Sequence, residues 1–151
     1  LVGAALTQPV TCELIADGIH IHPAALSLAV HAKGLDKIVL ITDSMRACLL
    51  GEGESELGGQ KVFVRDGRAT LADGTLAGSI LTMEKAVQNI WKFAHLTLPQ
   101  AVQLATANPA RELGFSDRGT LETGQRADLA IFDDDFNILQ TYKKGTCIFH
   151  R

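Results

Sequence analysis

Two short apolar runs that end abruptly in polar, titratable residues set the reading of this chain. Val10 to Ala16 reads as a buried strand closed by the Asp17-Gly18 turn. Pro23 suits the first turn of a helix, and Ala24 to Lys33 carries apolar residues at helical spacing until Gly34 stops it. Leu35 to Ile41 reads as a second strand, apolar enough to be covered on both faces as parallel strands are. The runs lead into Asp17, His20 and His22 on one side and Thr42-Asp43 on the other. That is a strand–helix–strand unit with chemistry at the strand C-termini, facing one cleft.

Beyond Asp43 the pattern breaks. Arg46 to Gly59 holds four glycines and three glutamates, which predicts an exposed, mobile loop. Lys61–Arg65 and Arg68–Leu71 flank Asp66-Gly67, a hairpin signal. Asp73-Gly74 makes another turn, Leu76-Ala77-Gly78-Ser79 a small-residue loop, and Thr82 is placed to cap a helix. That helix, Met83 to His95, sets Met83, Val87, Ile90, Trp91 and Ala94 on one face. A further helix is expected from Pro99 to Ala107, broken by Asn108-Pro109-Ala110-Arg111, with a short helical turn reaching Gly114. From Gly119 the chain reads as short strands (119–124, 127–132, 138–149), an all-β tail too small to bury its own face.

Composition narrows the function classes. With 151 residues and 46% apolar content the chain can bury a core. A net charge of −3, from 14 basic and 17 acidic residues, gives no reason to expect nucleic acid or an anionic membrane as partner. No apolar run approaches the roughly 18–20 residues of a membrane span. Cys12, Cys48 and Cys147 are scattered and odd in number, which suggests a reducing, cytoplasmic setting. The start at Leu1, without Met, reads as mid-domain sequence and leads us to expect a piece of a longer protein.

DGIHIHP, an apolar strand ending ITD, a glycine-rich loop, LGG, DGTLAGSILTM and ATANPARELG resemble the N-acetylglucosamine-6-phosphate deacetylase family. The tail GTLETGQRADLAIFD resembles the wider amidohydrolase superfamily to which those enzymes belong. The resemblance implies a metal-dependent (β/α)8 TIM barrel with a small β-sandwich domain. Val10–Ala16 and Leu35–Ile41 would be barrel strands seven and eight. Residues 1–118 would be the C-terminal part of the barrel, and 119–151 the C-terminal strands of the sandwich. A full barrel takes about 250 residues, so earlier strands would lie outside this chain. It would then lack the main Glu/His/His ligands of a divalent zinc or iron ion, and would be inactive alone. The implied reaction is hydrolysis of the sugar-phosphate acetamide to glucosamine 6-phosphate and acetate, by a cytoplasmic homodimer.

The resemblance also assigns roles. Asp43 would be the catalytic acid/base, against the plainer reading of a turn cap. Asp17, Gly18, Ile19 and His20 would bind substrate, with His20 directed to the 6-phosphate. Leu76, Ala77, Gly78 and Ser79 would add backbone and hydroxyl contacts to the sugar. His20 and His22 share a face if the segment is extended, which permits metal chelation, but His22 is read as structural. Arg46 balances between phosphate attraction and plain solvation. Glu52, Glu54 and Glu56 read as a solvated face and Trp91 as core. His31, His95 and His150 carry no role, and Cys48 lacks the partners of a nucleophile. Other amidohydrolases (dihydroorotase- or imidazolonepropionase-like), or a non-catalytic assembly module, are the alternatives.

Overall fold

The computed structural model describes residues 1–151. It opens with helix α1 (Val2–Thr7), strand β1 (Cys12–Ile15), helix α2 (Pro23–Lys33), a 3-10 turn at Leu35–Lys37 and strand β2 (Ile38–Ile41). β1 and β2 pair in parallel, Cys12 opposite Ile38 through Ile15 opposite Ile41. The expected strand–helix–strand unit is therefore present, with shorter strands. Pro23 opens α2, where its missing N–H costs nothing. His22 Nδ1 caps the helix by accepting from Ala24 N at 3.2 Å. Gly34, at φ +82°, ends it. Residues 16–21 form turns and bends and His22 stands just before α2, so His20 and His22 do not share a strand face.

The glycine-rich segment departs from expectation. Gly53–Leu57 is strand β3, antiparallel to β4 (Gln60–Arg65), which pairs in turn with β5 (Arg68–Thr70). The β3–β4 connection is Gly58-Gly59, at φ +58° and +81°. A two-residue hairpin turn needs positive φ at both positions, so these glycines close a ladder rather than loosen a loop. Val62, Val64 and Ala69 bury one face of this sheet on Met45, Ala47 and Ala77.

Helix α3 (Met83–Phe93) buries Ala86, Val87, Gln88 and Ile90, while Met83, expected on the same face as Val87 and Ile90, stays 37% exposed. Thr82 precedes it, but its hydroxyl bonds the Glu84 carboxylate instead of capping the backbone. The next helical stretch is divided. α4 spans Leu98–Gln103, and α5 (Ala107–Glu112) contains the Asn-Pro-Ala-Arg expected to break it. Pro109 sits third in α5, where no intrahelical acceptor exists for its missing N–H. The core gathers Leu14 and Ala16 from the β1 side, Leu26 and Val30 from α2, Ile38 and Leu40 from β2, and Ile90 and Leu104 from the later helices. Burying a side chain such as Leu26 completely is worth about 1.5–3 kcal/mol.

The tail is an antiparallel sheet of β6 (Leu129–Phe132), β7 (Ile138–Lys143) and β8 (Thr146–His150). Residues 119–124 are not a strand. Phe136, in the β6–β7 connection, is buried with its ring 5.7 Å from Trp91 and 5.1 Å from Phe132, which ties the sheet to α3. Trp91 thus packs as expected.

Candidate functional site

The loop after β1 and the segment after β5 meet at one cleft. From β5 the chain folds back: Leu76 bridges Thr70, and Ala77 N donates to Ala69 O at 2.9 Å. Ser79 then lies parallel to Ser44, just past the end of β2. Ser79 N donates to Asp43 O at 3.2 Å and Ser79 O accepts from Met45 N at 2.8 Å. Gly78 adopts φ +78°, a conformation that favours glycine, and brings the backbone against Met45. The 76–79 segment is thereby pinned to the C-terminal side of β2 and opposite the 17–20 loop.

A cavity of about 310 Å³ separates them. It is lined by Asp17, Ile19 and His20 from one loop and by Leu76, Gly78 and Ser79 from the other, with α3 and the β4–β5 turn closing the sides. Six of the eight expected binding residues therefore share one cleft. Ala77 instead packs into the small core under β4. Gly18 lies behind the lining, where an added Cβ would stand 3.3 Å from the Phe93 ring.

Asp17 organises its loop. Its Oδ1 accepts from Ile19 N at 2.8 Å and His20 N at 2.9 Å, and Oδ2 lies 2.6 Å from His20 Nδ1. Its side chain is 8% exposed, against 23% for His20. Burial pushes the Asp17 carboxyl up, but the His20 ring and the two backbone N–H groups outweigh it and hold it below the usual carboxylate value. An ionised carboxylate only accepts, so His20 Nδ1 is the donor and Nε2 is left for other partners. Sequence reasoning named both residues but not this pairing.

Asp43 follows β2 by two residues and adopts φ +49°, which Asp tolerates better than most residues. It is exposed, its carboxylate accepts no hydrogen bond, and it does not line the cleft. A turn-capping role for the side chain thus finds no contact to support it. Its backbone joins the cleft wall through Ser79. Ser79 Oγ accepts from Leu81 N at 2.8 Å, which leaves its hydroxyl hydrogen to donate. Arg68, Lys85 and Asn89 also line the cleft and were not singled out in the sequence. Asn89 Nδ2 donates to Ala16 O at 2.8 Å and so buttresses the 17–20 loop.

No group of three or more His, Cys, Asp or Glu side chains is placed to hold a metal ion. His20 Nδ1 is held by Asp17 and His22 Nδ1 by the α2 cap. The residues of this chain do not by themselves form a metal centre.

The amidohydrolase family model matches residues 5–148. N-acetylglucosamine-6-phosphate deacetylase of Bacillus subtilis (strain 168) is 44% identical over 151 residues, which cover 99% of this chain and 38% of the relative. An Escherichia coli (strain K12) protein, provisionally named N-acetylgalactosamine-6-phosphate deacetylase, is 39% identical over 147 residues, covering 96% of this chain and 87% of the relative. The crystal structure of N-acetylglucosamine-6-phosphate deacetylase from Thermotoga maritima matches with a TM-score of 0.93 and 39% identity, over 100% of this chain and 42% of that one. The chain thus spans well under half the length of the Bacillus and Thermotoga proteins, and has the fold of the Thermotoga protein over that span.

Proposed function

Because the chain belongs to the amidohydrolase family, we propose that it supplies the acid/base carboxylate and one wall of the sugar-phosphate pocket of an N-acetylglucosamine-6-phosphate deacetylase. The observation that supports the pocket in this reading is the single cleft formed by Asp17, Ile19 and His20 with Leu76, Gly78 and Ser79; Asp43 lies outside its lining and is tied to the cleft wall by its carbonyl, which accepts from Ser79 N at 3.2 Å. In this reading residues 1–118 belong to the barrel and 119–151 to the sandwich domain. The enzyme works in the cytoplasm as a homodimer. No helix of the chain is long and apolar enough to cross a membrane.

Amidohydrolases are generally metal-dependent. A zinc or iron ion in this enzyme would take its main ligands from outside the chain. The residues present move a proton and hold the sugar. Asp43 takes a proton from the attacking water as its oxygen adds to the acetyl carbonyl carbon. It returns the proton to the nitrogen as the C–N bond breaks, leaving acetate and the free amine. The unpaired Asp43 carboxylate suits this task, since nothing within the chain competes for it. His20 Nε2 and the Ser79 hydroxyl address the substrate's phosphate and hydroxyl groups, and the Gly78 backbone lets the sugar approach closely.

A chimera tests this directly. The aligned segment of the Bacillus subtilis relative is replaced by this chain, and acetate release from N-acetylglucosamine 6-phosphate is measured. We expect turnover, reduced at least a hundredfold by Asp43→Asn, in line with the roughly 10²–10⁴-fold contribution of a positioned acid/base. A folded but inactive chimera, or full activity in the Asp43→Asn form, would overturn the assignment. N-acetylgalactosamine 6-phosphate is the competing substrate, favoured by the name of the Escherichia coli relative that the chain covers over 87% of its length. Comparing the two epimers in the same chimera decides between them.

A further inference from the structure

Asp43, whose carboxylate accepts no hydrogen bond, holds its backbone at φ +49°. A residue other than glycine persists in that left-handed region only where its surroundings over-determine it. Here the surroundings are a clasp between residues 43–45 and 79–81. Asp43 O accepts from Ser79 N at 3.2 Å and Met45 N donates to Ser79 O at 2.8 Å, on either side of the parallel bridge between Ser44 and Ser79. Two hydroxyls complete it. Ser79 Oγ accepts from Leu81 N at 2.8 Å, and Ser44 Oγ donates to Leu81 O in a part-buried bond. Side chains of the clasp therefore hold both the N–H and the C=O of Leu81, a residue only 6% exposed. The contacts close a ring that runs from Asp43 through Ser79, Leu81 and Ser44 back to Asp43. Within residues 42–45 the Ser44 hydroxyl makes the one side-chain hydrogen bond of that ring.

We propose that Ser44 is a positioning residue: its hydroxyl, anchored on Leu81 O, holds Asp43 in the left-handed turn that aims the carboxylate for proton transfer. This rests on the acid/base reading of Asp43 above. A short side chain with no partner of its own is aimed by its backbone. The backbone at Asp43 is fixed on its carbonyl by Ser79 and, through the next residue, by Ser44. Ser44 does not line the cleft, so it acts through Asp43 alone. Ser79 lies in the cleft wall as well as in the clasp, so the aim of Asp43 and the place of the 76–79 segment are set by the same contacts. A misplacement of about 1 Å can cost a reaction about 10²-fold. Loss of one anchor while the backbone contacts to Ser79 remain should cost about tenfold.

The test places Ser44→Ala, Ser44→Thr, Asp43→Asn and the Ser44→Ala/Asp43→Asn pair in the chimera described above. Both kcat and KM for acetate release from N-acetylglucosamine 6-phosphate are measured per folded enzyme. Ser44→Ala should lower kcat about tenfold and leave KM within about twofold, the pattern of a contact that matters only in the transition state. Ser44→Thr keeps the hydroxyl and should stay within about twofold of the parent. Asparagine also tolerates the left-handed backbone, so Asp43→Asn removes the carboxylate alone. In that background Ser44→Ala should change the residual rate by less than about twofold, because no carboxylate is left to misplace. A hydroxyl that only stabilised the fold would act by the same factor in both backgrounds. Ser44→Cys, similar in shape but a weak donor, takes the place of the alanine variant should that one fail to fold. A kcat kept within about twofold in Ser44→Ala, or an equal loss in both backgrounds, overturns the inference and leaves the reading of Asp43 standing. A folded but inactive chimera, or undiminished turnover in Asp43→Asn, overturns both.

Discussion

Replacing Asp17 by alanine removes three acceptor contacts at once: those to Ile19 N, His20 N and His20 Nδ1. Each intramolecular hydrogen bond contributes about 1 kcal/mol net, and one to an ionised group about 1.5–3 kcal/mol. Because one carboxylate is shared by three donors, we count about 1–1.5 kcal/mol for each, so the loss expected for Asp17→Ala is about 3–5 kcal/mol, a large share of a domain stability of about 5–15 kcal/mol. Asp17→Asn keeps an oxygen for the two backbone donors and should cost about 1–2 kcal/mol. With a urea slope of about 2 kcal/mol/M, the alanine variant should unfold about 1.5–2.5 M earlier than the parent. The same comparison has a pH arm. The folded-state carboxyl titrates below its ordinary value of 3.8, so its stabilising contribution is complete above that value. It is lost as the pH falls through the lowered value. The parent should therefore lose stability relative to Asp17→Asn only on the acid side of about pH 4. Urea melts at pH 7 and pH 3 measure both arms. A midpoint for Asp17→Ala within about 0.3 M of the parent at pH 7 would refute the view that this side chain holds the loop.

Asn108 is fully buried, its Nδ2 donating to Leu35 O and Ile38 O at 2.7 Å each and its Oδ1 accepting from Gln103 and Arg111. Asn108→Ala should cost about 2–4 kcal/mol in a chemical melt by removing a buried side chain that donates to two carbonyls at the entry to β2 and accepts from Gln103 and Arg111, whereas a cost under about 0.5 kcal/mol would contradict that role. Gly119 has φ +101°, and an added Cβ would stand 2.8 Å from Ala110 Cβ, so Gly119→Ala should lower the thermal midpoint by several degrees. Gly3, with open space around its Cβ position, is the control at which alanine should change little.

The β1–α2–β2 unit was legible because two apolar runs and the Pro23 and Gly34 punctuation encode it locally. The parallel pairing then follows from the need to cover β2 on both faces. β3 was missed because Gly51, Gly53, Gly58 and Gly59 read as looseness, although Gly58-Gly59 is what a tight hairpin turn requires. Pro109 read as a breaker, yet near a helix N-terminus proline removes an N–H that has no intrahelical partner. The 17–20 and 76–79 segments came from a family resemblance rather than from periodicity, and the fold brings six of those eight residues to one cavity. The Asp17–His20 bond could not be read beforehand, because it depends on turn dihedrals that no hydrophobic pattern records. Arg68 and Lys85 stand 17 positions apart on elements whose approach only the tertiary structure creates.

The most direct measurement of the central claim is a ¹⁵N–¹H titration of the chain with N-acetylglucosamine 6-phosphate. The amides of Asp17–His20 and Leu76–Ser79 should shift together along one saturation curve, and Asp17→Ala should weaken that curve at both loops. Shifts confined to one of the two loops, or gathered on the β6–β8 sheet, would contradict a shared sugar-phosphate site.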